Sequence, residues 1–273
     1  MSQMLRVLML GDLIGKTGRA LFARHSASIR INYSVDAIIV NGENSTDSGS
    51  GITPEDALFL IQNGADVITG GKHSWDEKTV FNVLNTHTNI IRPANFPTSC
   101  PGKGMTFFIC KGYTIGVMNL MGRVFMDPIV DCPFHEAEKL LKESAAITPI
   151  MFVDFHAKAT SEKLGLGYFL EGKVTAVVGT NTHVQTADAR ILPGGTAYIT
   201  DLGMTGATHS LIGFKLEPLI QEFVTRIQNH AEVETSAPYH MTGVIITVDP
   251  RTGKAFAIEP FLKTDTEQLG DIS

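Results

Sequence analysis

Five short segments carry residue types that hold metals and move protons. They are Gly11-Asp12, Gly42-Glu43-Asn44, Gly71-Lys72-His73, Asp154-Phe155-His156 and the run from Gly179 to His183. Each ends an apolar stretch with a carboxylate, an amide or an imidazole. Carboxylates and imidazoles together are the ligand set of Mn, Fe or Zn. Two such ions a few ångströms apart can activate a water and clamp the oxygens of a phosphoryl group during in-line displacement. Glu43 is the most telling of the set, because a carboxylate directly after a buried strand is costly unless paired. Cys132 has no base tied to it and reads as a packing residue, not a nucleophile.

The elements that must position these groups follow from the apolar pattern. Largely apolar runs, the first broken by Arg6, predict buried strands over 5–10, 37–40, 66–69, 150–155, 176–178 and 197–200. Hairpins are predicted for 106–110 with 114–120 around Lys111-Gly112, and for 243–248 with 255–260 around the Asp249 to Gly253 turn. Helical spacing covers 17–31, 54–63, 134–145 and 216–227, with Thr53 as the N-cap and Gly64 as the stop of the second. Strand and helix alternate, and loops converge at the carboxyl ends of strands in α/β folds. That rule alone gathers Asp12, Glu43 and His73.

The chain has 273 residues, 28 Asp+Glu against 22 Lys+Arg, 43% hydrophobic residues and 18% charged ones. That composition builds a sizeable core and excludes bulk disorder. No apolar run reaches the roughly 18 to 20 residues a bilayer span needs, so no membrane association is expected. The start lacks a cleavage signal and three cysteines cannot all pair within one chain, so a cytoplasmic protein with reduced thiols is expected. The net charge of −6 argues against nucleic-acid binding driven by bulk charge. No repeat or linker divides the chain, so one domain is expected over 1–273, with a flexible tail from about 262. Phe107, Phe108 and Phe125 read as packing residues. Arg123 and His135 are lesser candidates for the pocket wall.

The segments GDLIGKTGR, NGEN, GITPED, WDEK, RPANFP, NLMGRVFM, DCPF, VDFHAKATSEK and HVQTADARILPGGTAYITDLGMTG occur in this order along nearly the whole chain. In them the sequence resembles the calcineurin-like metallophosphoesterases, and within these the YmdB-like bacterial phosphodiesterases. The resemblance implies an α/β fold: a two-sheet β-sandwich flanked by helices, in four α/β/β/α layers. It implies that Asp12 and His183 are ligands of a first metal, that Glu43 bridges, and that His156 is a ligand of a second. It implies that His73 contacts phosphate and protonates the leaving group, while Asn44 helps hold the attacking water or the phosphate. Homo-oligomers are implied as well.

Three positions depart from the family pattern. Lys72 stands where the family has Asn, Asn181 where it has His, and Lys158 where it has Glu. The first two fall on ligands of the second metal, whereas Asp12, Glu43 and His183 are intact. Lys72 and Lys158 already balance the charges of Asp12 and Glu43, so each divalent ion adds two uncompensated charges to a desolvated site. A protonated lysine has no lone pair for a metal. Its ammonium can instead hold phosphate as a point charge. The expectation is therefore one divalent ion over two, Mn or Fe rather than Zn or Mg, with Asp12, Glu43 and His183 around it and His156 completing the site. The expected function is a metal-dependent phosphodiesterase for a cyclic nucleotide or related small phosphodiester, RNA ends included, with reduced activity. The alternative is a degenerate phosphoesterase that binds a nucleotide or a partner as a regulator.

Overall fold

A computed structural model of the chain describes residues 4–270. The predicted apolar runs become strands, the first running three residues beyond its run to Leu13. β1 (Leu5–Leu13), β2 (Ala37–Asn41) and β3 (Val67–Thr69) lie parallel, in register from Val7 against Ala37 and from Ile39 against Val67. α1 (Gly15–Asn32) and α2 (Pro54–Gln62) make the crossovers. α2 begins with the full capping box: Asp56 N–H donates to the Thr53 hydroxyl, and Thr53 N–H donates to Asp56.

A short 3₁₀ turn and α3 (Phe81–Thr86) lead to a hairpin of β4 (Met105–Cys110) and β5 (Tyr113–Met121). Its turn residues Lys111 and Gly112 both have positive φ, +49° and +82°, as the tight hairpin turn requires. α4 (Pro133–Ser144), β6 (Met151–His156), α5 (Thr160–Phe169) and β7 (Ala176–Thr180) continue the second half. Then come β8 (Arg190–Ile191), β9 (Ala197–Ile199), β10 (Met204–Ala207), α6 (Leu216–Thr225), β11 (Tyr239–Val248) and β12 (Ala255–Asp265).

The strands form two six-stranded sheets, ordered β12-β11-β10-β1-β2-β3 and β4-β5-β6-β7-β9-β8. Alternation along each strand feeds two cores. Leu5, Val7 and Met9 of β1 pack with Val117, Phe152 and Val178 of the second sheet in the interface between the sheets. Their neighbours Leu8 and Leu10 face outward onto Leu21 and Phe22 of α1 and Leu60 of α2. On the far side, Val153 and Phe155 of β6 pack with Leu140 of α4 and Leu166 of α5. The result is the expected α/β/β/α layering.

One expectation is corrected. The tail predicted from about 262 is ordered strand through Asp265, and residues 266–270 follow it with ties of their own. Arg24 donates to Asp265 and to the Glu267 and Gln268 carbonyls, and Leu269 packs on the core. The polar composition of this stretch concealed partners supplied by α1, more than 240 positions away. Residues 271–273 lie outside the described residues. Among the described residues, no helix is long and apolar enough to cross a membrane.

Candidate metal centre

The carboxyl ends of β1, β2, β3, β6 and β7 meet at one edge of the sandwich. Asp12 is still within β1 and fully buried, Glu43 lies two residues past β2, and His156 is the last residue of β6. One ligand atom from each of Asp12, Glu43 and His156 lies within 4.8 Å of the others. His183 approaches this trio from the side, with Nε2 3.7 Å from Asp12 Oδ1. The tight trio therefore contains His156 where the sequence reading placed His183. The reason is local: His183 has φ +63° and its Nδ1–H donates to the Ile212 carbonyl at 2.9 Å, which sets the ring beside Asp12 alone.

The trio fits a cation. His156 Nε2 is 2.9 Å from Glu43 Oε1 without the alignment of a hydrogen bond. Asp12 Oδ1, Asn44 Oδ1 and His156 Nε2 are buried with no hydrogen-bond partner. Buried polar atoms almost always have partners, and lone pairs directed at one another suit a shared ion. Backbone donors hold the carboxylates in place. Asn181 N–H donates to Asp12 Oδ2 at 3.2 Å, and His73 N–H donates to Glu43 Oε2 at 3.1 Å. Gly71 is required here, because a Cβ on it would fall 2.1 Å from Glu43 Oε2 and 2.6 Å from His156 Cδ2.

The electrostatics agree with this packing. Burial pushes Asp12 above the usual carboxylate range; His183 and His156 oppose that, while Glu43 and Asp201 add to it. Burial also pushes Glu43 upward, but His156 and His73 outweigh it and hold Glu43 below its ordinary value. For His156, burial favours the neutral ring, but the surrounding carboxylates, Glu43 foremost, raise it instead.

The tautomers are set from behind. Thr180 donates its hydroxyl proton to Asp154 Oδ1 at 2.8 Å, so its oxygen accepts from His156 Nδ1–H at 3.1 Å. That leaves the Nε2 lone pair for the site. Asp154 is pushed up to about 6 by burial, against hydrogen bonds from Thr69 and Thr180. His73 Nδ1 lies 2.6 Å from Asp76 Oδ2, which also accepts from the Ser50 hydroxyl, so Nε2 of His73 is the free nitrogen.

Asp154 entered the sequence reading only as part of its segment, with no role assigned, and Asp76, Lys163 and Asp201 were given none. Lys163 of α5 is 1% exposed and donates to Asp201 at 2.6 Å and to the Thr180 carbonyl at 2.8 Å. Asp201 in turn accepts from Thr182 N–H at 3.1 Å, so the pair fixes both sides of Asn181. A signal for Asp154 existed: it stands two positions before His156 in a strand, on the same face. Lys163 gave none, since a lysine in an amphipathic helix ordinarily reads as solvated.

Lys72, Lys158, Asn181, Asn44, His73 and His183 all line a cavity of about 350 Å³ beside Glu43. Both departing lysines thus face the site, Lys72 half-buried and Lys158 exposed. Neither has a carboxylate within 4.0 Å among the described residues. Ile212 and Phe214 form an apolar part of the wall. Arg123 and His135 are exposed and do not line this cavity. Phe107 and Phe108 pack against the cores as expected, whereas Phe125 is 82% exposed at φ +59°, because its loop turns outward after β5.

Two facing sheets between helices, with carboxylates and imidazoles at the strand ends, are the layout of a metallophosphoesterase. The chain belongs to the YmdB-like family, whose model, described as "YmdB-like protein", matches residues 8–261. It is 45% identical over 264 residues, 96% of this chain and 98% of the relative, to a Bacillus subtilis (strain 168) protein named 2′,3′-cyclic-nucleotide 2′-phosphodiesterase. Among solved structures it is similar to a phosphatase from Mycoplasma pneumoniae, with TM-score 0.91 and 34% identity over 98% of this chain and 96% of that one. It is also similar to a hypothetical protein from Thermus thermophilus, with TM-score 0.89 and 36% identity over 96% and 100% of the two chains.

Proposed function

We propose that this chain is a metal-dependent phosphodiesterase that opens a 2′,3′-cyclic nucleotide or a related phosphodiester, RNA ends included, using one divalent ion. The observation that carries this reading is the buried trio of Asp12, Glu43 and His156 with ligand atoms within 4.8 Å and two of its polar atoms unpartnered. The name of the Bacillus subtilis relative supports the substrate class. Asp12, Glu43 and His156 would hold the ion, with His183 beside Asp12. The mixture of carboxylate and imidazole favours Mn or Fe. A bound ion supplies Lewis acidity to the phosphoryl group and makes a water acidic enough to attack.

The chain's own residues do the rest. The water oxygen joins phosphorus, one P–O bond of the ester breaks, and the departing ribose oxygen takes a proton. His73 would give that proton from Nε2, with its Nδ1–H held by Asp76. Lys72 meets the charge on the phosphoryl oxygens from the position where the family resemblance has a metal-ligating amide. Asn181, in place of a histidine, leaves a second ion without its ligand. Turnover is therefore slower than that of a two-ion relative. The three free cysteines support a cytoplasmic location.

The test is turnover of bis-p-nitrophenyl phosphate and of 2′,3′-cyclic nucleotides with Mn or Fe. Slow hydrolysis is expected, raised by Lys72→Asn combined with Asn181→His. Fast turnover that the double variant does not improve would sink the single-ion reading. No turnover by either protein, with nucleotide still bound, would replace the enzyme by a binding regulator.

A further inference from the structure

The cavity beside Glu43 does not end at the trio. It shares the wall residues Ser48 and Ala231 with a second hollow of about 300 Å³, which shares Lys16 and Thr235 with a third of about 160 Å³. The three adjoining hollows lie in a row and together make a trough. The first compartment is at the small end of the range for a small-molecule site, large enough for one nucleotide. The other two have no role in a reaction on a mononucleotide.

The charges along the trough are unevenly matched. Apart from Glu43 at the trio, its acids are already paired: Asp47 with Arg19 at 2.8 Å, and Glu232 with Lys215. Lys72, Lys158 and Lys16 have no carboxylate within 4.0 Å among the described residues. The trough therefore carries a surplus of positive charge at its start and again where the second hollow meets the third. Lys16 stands exposed in the first turn of α1, a turn without an acidic residue. In the neighbouring hollow lined by Asp47, Asp56 and Glu77, Arg19 is bound to the first two, so that hollow has no surplus of positive charge to draw a polyanion away from Lys16. At the trio end, Ile212 and Phe214 offer an apolar wall against which a base can lie.

We propose that this trough is a track for single-stranded RNA, holding the nucleotides on the 5′ side of a terminal 2′,3′-cyclic phosphate. The terminal nucleotide occupies the compartment beside Glu43, and Lys16 meets a backbone phosphate farther along. This inference rests on the phosphodiesterase reading above. It adds that the preferred substrate is the end of an RNA chain rather than a free mononucleotide. The chain's net negative charge is no obstacle, because the lysines of the trough act locally.

The test compares kcat/KM for 2′,3′-cyclic AMP and for a trinucleotide ending in a 2′,3′-cyclic phosphate, in wild type, Lys16→Ala and Lys16→Glu. The trinucleotide is expected to be favoured about tenfold. Lys16→Glu should remove most of that advantage and Lys16→Ala part of it, with 2′,3′-cyclic AMP hydrolysis within twofold of wild type. The salt dependence of trinucleotide KM should flatten by about 0.7 in log–log slope in Lys16→Ala, the effect of one phosphate contact on a single strand. Equal kcat/KM on the two substrates, or a Lys16 effect equal on both, overturns the track. If neither substrate is turned over, the phosphodiesterase reading fails, and the track is judged by fluorescence anisotropy of the 5′-labelled trinucleotide. Lys16→Glu must then weaken binding several-fold, and unchanged affinity overturns it.

Discussion

The floor of the site and its rim are held in opposite ways. On the floor, polar groups are tied to one another in a buried network: Lys163 to Asp201 and Thr180, Asp154 to Thr180, Thr180 to His156, and two backbone N–H groups to Asp12 and Glu43. Of the atoms left unsatisfied there, Asp12 Oδ1 and His156 Nε2 belong to the candidate ligand trio. On the rim, Lys72 and Lys158 have no carboxylate within 4.0 Å among the described residues. A floor whose geometry is fixed from behind can hold an ion in one place. A rim of unpaired ammonium groups can follow a substrate whose charges move during reaction.

The contrast breaks most sharply at Glu43. Glu43→Gln removes one charge of the trio and leaves one oxygen where the carboxylate uses two, Oε1 toward His156 and Oε2 accepting from His73 N–H. Its effect on metal affinity and on kcat/KM should exceed the roughly ten- to hundred-fold that substitutions behind a ligand cost. Isothermal titration with Mn together with the phosphodiester assay checks this; an effect under tenfold would mean that Glu43 is not a ligand.

Lys163 tests whether the floor depends on its buried network. Lys163→Met keeps the volume but leaves the Asp201 carboxylate buried and uncompensated, which costs about 3–5 kcal/mol. Urea unfolding measures it. The conservative double change Lys163→Met with Asp201→Asn should recover much of the loss, and no recovery would show that the pair contributes packing rather than charge.

The smallest effect lies away from the site, at the C-terminal strand. The Glu267 N–H, His25 and Arg24 outweigh burial and hold the Asp265 carboxyl below its usual range. A depressed carboxyl contributes stability above its unfolded pKa, and this is lost as pH falls through the folded value. Asp265→Asn should therefore lower Tm at pH 7 by a few degrees, roughly 1 kcal/mol. The gap should close as pH drops below the ordinary carboxylate range. A gap that persists at acid pH would assign the loss to packing.

The sequence made the floor partly legible. Apolar runs ending in glycine and a polar group located Asp12, Glu43, His73 and His156 at one edge, because strand-end loops converge whatever their sequence separation. His183 was legible as a site residue, but its distance from the trio was not, since that depends on a positive-φ backbone and a carbonyl at Ile212. Lys163 and Asp201 were hidden because a buried ion pair leaves no periodic trace. The tail from 262 failed for the same reason: its partners on α1 are far away in sequence. On the rim, the family resemblance marked which lysines depart from its pattern. Only the fold revealed that they line the cavity beside Glu43 and that Lys16 lines the hollows next to it.

The central claim is that this site holds one ion, with Lys72 in place of the second. Metal analysis of protein purified without chelator and dialysed against Mn tests it directly, with Lys72→Asn/Asn181→His measured in parallel. One equivalent per chain in wild type and two in the double variant is the predicted result. Two tightly bound equivalents in wild type would contradict it.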